Sequence, residues 1–197
     1  MNILVIADVE SAGLWDYFRP EKIADIDLIL SCGDLKPDYL SFLVTMARCP
    51  LLYVHGNHDG IYEKKEPEGC ICVEDQIFNY KGIRILGLGG SYRYSGGAHQ
   101  YTERQMRSRV RKLWLKLKMS KGFDILLTHS PAYELNDGDD LPHWGFEVFR
   151  TLMEKYKPKY FLHGHVHLNY GYEQKRKMKY EETIVINGYE AYRFTYE

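Results

Sequence analysis

The 197-residue sequence is 45% hydrophobic and 27% charged, with a formal net charge of −1, ordinary values for a soluble globular chain of one domain over residues 1–197. That near-neutral balance gives no global pull toward nucleic acid or an acidic membrane, and no apolar run approaches the roughly 20 residues of a membrane span. Cys32, Cys49, Cys70 and Cys72 form no C-x-x-C pair, and a strand opens at Asn2 with no basic leader, so reduced thiols in a cytoplasmic protein are expected.

In chain order, Asn2–Ala7 (NILVIA) reads as a continuous apolar strand, with Asp8-Val9-Glu10 at its end. Leu14–Ile26 is expected to hold one or two short helical segments broken at Pro20, and Asp27–Ser31 a second buried strand ending in Cys32-Gly33-Asp34. Pro37–Arg48 spaces Leu40, Leu43, Val44 and Ala47 as a helix that starts on proline. Leu51–Val54 is a third strand, running into Gly56-Asn57-His58-Asp59. Strand, helix and strand repeating from the N-terminus predict an α/β layer with a mostly parallel sheet.

Glu63–Glu68 reads as a solvated charged loop. From Cys70 the pattern shortens to Ile71–Val73, Gln76–Tyr80 and Ile83–Leu88, predicting hairpins and a second, partly antiparallel sheet. A Gly- and Tyr-rich loop spans Gly87–His99. Thr102 opens a helix to about Met119, with Met106, Val110, Leu113, Trp114 and Leu117 on an apolar face. Arg104, Arg107, Arg109, Arg111, Lys112, Lys116 and Lys118 fall on the other face, read as solvated rather than as a nucleic-acid grip. Phe123–Thr128 is a strand ending at His129, Gly145–Tyr156 a helix, and Lys159–Leu162 a strand ending in His163-Gly164-His165-Val166-His167. Leu168–Glu173, Thr183–Asn187 and Ala191–Tyr196 alternate again, around a charged hairpin tip at Gln174–Lys179.

Strand ends therefore carry Asp8/Glu10, Asp34, Asn57/His58, His129 and His165/His167. Any one of them, GNHD included, is compatible with an ordinary polar turn. Together they supply only carboxylate, amide and imidazole, and in open α/β sheets the loops at the carboxyl ends of strands converge on one rim. Oxygen and nitrogen donors without thiolate suit Mn, Fe or Zn, and the ligands outnumber what one tetrahedral ion needs, so two ions fit better.

Asp8-Val9-Glu10, Gly33-Asp34, Gly56-Asn57-His58-Asp59, Thr128-His129 and Gly164-His165-Val166-His167 resemble, in order and approximate spacing, the five blocks of the calcineurin-like metallophosphoesterases. The loop Asp139–Phe146 resembles the segment before the last block in compact bacterial members. The resemblance implies a four-layer α-β-β-α sandwich of two mixed β-sheets flanked by helices. It implies hydrolysis of a phosphoester, a phosphodiester first and a phosphomonoester or phosphoprotein second, by hydroxide activated at a dinuclear metal centre. A binding scaffold of the same fold that has lost catalysis is the rival of another class. By position, Asp34 would bridge two divalent ions, Mn²⁺ first, with Fe, Zn, Ni or Mg as alternatives. Asp8, Glu10 and His167 would complete one site, and Asn57, His129 and His165 the other. His58 would stabilise the phosphoryl oxygens or protonate the leaving group, and Asp59 would orient its imidazole.

The first block departs from the family's Asp-x-His at Glu10, which either coordinates as a harder, charged ligand or turns away and weakens that site. Arg93 is a candidate substrate contact in the Gly-rich loop, and His143 either reaches the metal rim or caps the following helix. No membrane partner is expected, and nucleic acid is not favoured because the chain lacks a second domain to grip it.

Overall fold

The computed structural model describes residues 1–169 and 175–197. Its strands are β1 (Asn2–Ala7), β2 (Leu28–Ser31), β3 (Leu51–Tyr53), β4 (Ile71–Cys72), β5 (Gln76–Tyr80), β6 (Ile83–Leu88), β7 (Ser91–Tyr92), β8 (Gln100–Tyr101), β9 (Ile125–Thr128), β10 (Tyr160–His163), β11 (Lys177–Tyr180), β12 (Thr183–Asn187) and β13 (Glu190–Thr195). Its α-helices are α1 (Pro37–Met46), α2 (Glu103–Lys112), α3 (Trp114–Met119) and α4 (Glu147–Tyr156). One sheet runs β13-β1-β2-β3-β4, parallel except for β13; the other runs β11-β12-β10-β9-β6-β5, parallel at its centre with antiparallel edges. A two-stranded piece, β7-β8, lies apart from both.

Alternation along the strands sorts the apolar residues into three cores. Ile3, Val5, Leu28, Leu30, Leu52 and Val54 face Ile85, Ile125, Leu127, Leu162 and Ile186, which packs the two sheets against each other. The opposite parity of the first sheet, Leu4, Ile6, Ile29, Leu51 and Tyr53, meets Tyr39, Leu40 and Leu43 of α1. The opposite parity of the second, Leu86, Leu126, Phe161 and Val185, meets Met106, Leu117, Phe149, Leu152 and Met153 of α2, α3 and α4. Helix, sheet, sheet and helix is the four-layer sandwich. Residues buried on both faces explain why the central strands read as unbroken apolar runs.

Several local expectations are corrected. Between Leu14 and Ile26 only a 3-10 turn forms, Pro20–Lys22, because Leu14, Ile23 and Ile26 serve as separate plugs onto the first sheet rather than as one helical stripe. The helix opens at Thr102 as expected, with that residue in a capping box with Gln105, but it breaks at Leu113. Trp114 is consequently 61% exposed instead of joining the apolar face. Arg109 is buried rather than solvated. Ile71–Cys72 pairs with β3 in the first sheet, so the change of sheet comes at Gln76 rather than Cys70. Lys177–Tyr180 is strand β11, paired through Tyr180 and Thr183, which moves the hairpin tip to Glu181-Glu182. The run expected to alternate over 168–173 falls largely on residues 170–174, outside the described residues. No helix among the described residues is long and apolar enough to cross a membrane.

Candidate metal centre

The carboxyl ends of β1, β2, β9 and β10, and the loop after β3, meet at one rim. Their backbones are tied before any side chain acts: Asp8 N–H donates to the Gly33 carbonyl (3.1 Å), and Gly164 N–H to that of His129 (2.9 Å). Asp8, Asp34 and His165 hold positive φ angles of 67°, 57° and 67°, a left-handed conformation unfavourable for residues with a Cβ. Gly33 at φ 97° and Gly56 allow the Asp34 and Asn57 loops to touch. A Cβ on Gly56 would lie 2.0 Å from Asp34 Oδ1, so only glycine lets that carboxylate pass.

Asp34, His129 and His165 present ligand atoms within 4.8 Å of one another. His129 is fully buried, and its Nδ1–H donates to the Cys32 carbonyl (2.9 Å). That leaves Nε2 facing two oxygens, Asn57 Oδ1 at 3.0 Å and Asp34 Oδ2 at 3.3 Å. A neutral Nε2 and two acceptor oxygens repel one another, so a proton or a cation must sit among them. Without a cation the proton wins: burial disfavours imidazolium, yet Asp34, Asp8 and Asp59 raise the His129 pKa to about 9. Burial pushes the Asp34 carboxyl up, but His129 and the His58 backbone N–H (2.8 Å to Oδ1) bring it down to about 2. Asp8 is raised to about 7 by burial first and by neighbouring Asp34, although His165 N–H donates to its carboxylate. His165 gives its Nε2–H to the Pro142 carbonyl (2.7 Å), and burial with nearby His129 lowers it to about 3. It is therefore held neutral with Nδ1 as its lone pair, the form a metal takes. These donors fit a divalent cation.

Residues 1–169 match the family described as calcineurin-like phosphoesterase. The chain belongs to that family. Among curated relatives, UPF0046 protein T07D4.2 of Caenorhabditis elegans is 30% identical over 117 residues, 57% of this chain and 28% of that protein. UPF0046 protein K07C11.7 of the same organism is 24% identical over 175 residues, 76% of this chain and 59% of that protein. The chain thus spans less than two thirds of either relative. The crystal structure of TT1561 from Thermus thermophilus covers 95% of this chain and 88% of its own, with a TM-score of 0.61 at 18% identity, and shares the fold.

The calcineurin-like blocks do not all converge. Glu10 turns from the cluster to the start of α1: its Oε1 accepts from Lys36 N–H (3.0 Å), and its Oε2 lies 3.4 Å from Lys36 Nζ. His58 is exposed at the rim. Asp59 is buried, with Oδ2 accepting from the backbone N–H groups of Asp34 (2.8 Å) and Gly56 (2.7 Å). It clamps two ligand loops together, a different task from the expected one of orienting His58. His167 is half-buried against Tyr189, ring centroids 4.8 Å apart. His143 reaches the rim, 5.2 Å between its ring centroid and that of His165, with Nδ1 on Asp140 (2.6 Å). Arg93 is exposed, and no hydrogen bond or ion pair among the described residues ties its guanidinium to the cluster.

Sequence reasoning missed the support behind Asn57. Glu74 accepts from the N–H groups of His55 (3.2 Å) and Gly89 (3.0 Å) and is paired with Arg109, which also holds Asp75 (2.9 Å) and the Gly89 carbonyl (2.8 Å). One signal was present: Arg109 lies three residues after Met106 and four before Leu113, on the buried face of α2. The carbonyls of Cys32 and Pro142, which set both histidine tautomers, carry no side-chain signal at all. A cavity of about 470 Å³ shares the 138–145 loop, but Glu103, Glu134, Asp137, Asp139 and Glu147 line it and would repel a phosphate.

Proposed function

We propose that this chain hydrolyses a phosphodiester at a centre of two divalent metal ions. The reading is supported most by the orientation of His129 Nε2 toward one carboxylate and one amide oxygen, an arrangement in which a divalent cation would take the place of the imidazole proton. Asp34 would lie between the ions, with Asn57, His129 and His165 on one side and Asp8 and His167 on the other. When bound, such ions supply Lewis acidity and a water acidified toward neutral pH. The remaining tasks fall to side chains of this chain. His58, exposed beside Asp34, is placed to carry a proton to the leaving oxygen or to donate to a phosphoryl oxygen. Asp59 and Glu74 hold the loops from which the ligands project, so little reorganisation is needed when substrate arrives.

The deciding experiment compares bis(p-nitrophenyl) phosphate with p-nitrophenyl phosphate, using metal-stripped protein reloaded with Mn²⁺. Turnover of the diester, lost in His58→Ala, is the expected result. Preference for the monoester would replace the diester reading with a phosphatase. Two bound ions with turnover of neither substrate would refute it for both ester classes tested.

A further inference from the structure

The Gly- and Tyr-rich segment between β7 and β8 is a clasped turn. Buried Gln100 gathers it: Oε1 accepts from the backbone N–H groups of Tyr94 (3.3 Å), Ser95 (3.0 Å) and Gly96 (3.1 Å). Its Nε2 donates to Ser95 Oγ (3.0 Å), Gly96 takes φ 77°, and Arg93 N–H donates to the Tyr101 carbonyl (3.0 Å). Such a turn fixes where its side chains point. It carries Tyr94 to the metal centre, where Tyr94 Oη accepts from Asn57 Nδ2 at 3.3 Å while 38% of the residue stays exposed. Asn57 is thereby held with Oδ1 turned inward, toward His129 Nε2.

A phenol that accepts a hydrogen bond retains its own proton to give. Among the described residues nothing takes the Tyr94 proton, and its exposure places it on the open side of the cluster. We propose that Tyr94 is a substrate-binding residue of this centre, donating Oη–H to an oxygen of the bound phosphoryl group while Asn57 holds it in place. The inference rests on the phosphoesterase reading above and moves the loop's substrate contact from Arg93 to its neighbour. A neutral donor there adds a hydrogen bond without adding charge, which suits the singly charged diester better than the doubly charged monoester.

The test measures binding of inorganic phosphate to the Mn²⁺-loaded protein by calorimetry, for wild type, Tyr94→Phe and the exposed control Tyr17→Phe. Tyr94→Phe is expected to keep the Mn²⁺ stoichiometry and unfolding midpoint but to bind phosphate about tenfold or more weakly, the loss of one hydrogen bond to a charged group. KM for the diester should rise by a similar factor while kcat changes little, and Tyr17→Phe should match wild type. Equal phosphate affinity in Tyr94→Phe and wild type would overturn the inference alone. Loss of Mn²⁺ rather than of phosphate would also overturn it, making Tyr94 a support for the metal site only. A wild-type protein that binds neither Mn²⁺ nor phosphate would overturn the phosphoesterase reading with it.

Discussion

Replacing Asp59 by alanine separates two roles for the carboxylate that follows His58. As a clamp, its Oδ2 receives the N–H groups of Asp34 at 2.8 Å and Gly56 at 2.7 Å, and Asp59 is only 2% exposed. Alanine would leave both donors unpaired. Hydrogen bonds to a charged acceptor contribute about 1.5–3 kcal/mol each, so the gross loss is about 3–6 kcal/mol. An opposing term comes from removing a buried charge, because burial and neighbouring Asp34 raise the Asp59 pKa from 3.8 to about 6. A shift of that size corresponds to roughly 3 kcal/mol of relief. The net destabilisation is then about 0–3 kcal/mol, which is at most roughly 10 °C in Tm for a chain of this length. Both clamped loops carry residues proposed as metal ligands, so on that proposal Mn²⁺ affinity should fall about 10–100-fold, as for other residues that hold ligands in place. Urea unfolding and chelator competition would measure the two quantities. Asp59→Asn, which keeps an acceptor oxygen, should stay within about 1 kcal/mol of wild type. If Asp59→Ala kept its unfolding midpoint and metal affinity but lost kcat, the carboxylate would be acting on the His58 imidazole and the clamp argument would fail.

Gly56→Ala drives a Cβ to 2.0 Å from Asp34 Oδ1, so it should abolish Mn²⁺ binding while the chain remains folded; an unchanged metal titration would contradict the close approach. Glu10→Ala should leave the metal stoichiometry intact, because its carboxylate is engaged by Lys36, and a loss of one bound ion would return Glu10 to the ligand set. For Glu74, burial raises the carboxyl, but the hydrogen bond from His55 and the charge of Arg109 bring it from 4.5 down to about 2. A carboxylate depressed in the folded state stabilises above its unfolded pKa, and that stability is lost as pH falls from 4.5 through about 2. Glu74→Gln should therefore flatten the acid limb of the stability curve between those values, and an unaltered limb in urea titrations would remove Glu74 from the acid response.

Much of the architecture was legible because its signals are local. A strand buried on both faces must be apolar throughout, and NILVIA, LILS and ILLT could hardly be anything else. The helix start expected at Thr102 is likewise local, since its cap pairs with Gln105 only three residues on. The elements misread are those whose fate depends on distant contacts. Leu14, Ile23 and Ile26 became plugs for a sheet rather than a helix face. Ile71–Cys72 went to whichever sheet edge lay open.

The candidate site divides in the same way. By itself, the sequence determined which ligand types stand at the carboxyl ends of which strands, since a parallel α/β sheet delivers those ends to one rim. Only the tertiary structure decided the partner of each: Glu10 to Lys36, Asp59 to the N–H groups of two loops, and Asn57 to Tyr94. These choices turn on distances of about 3 Å between segments far apart in the chain, where a hydrogen bond forms or does not. Residue type and spacing carry no record of that distance.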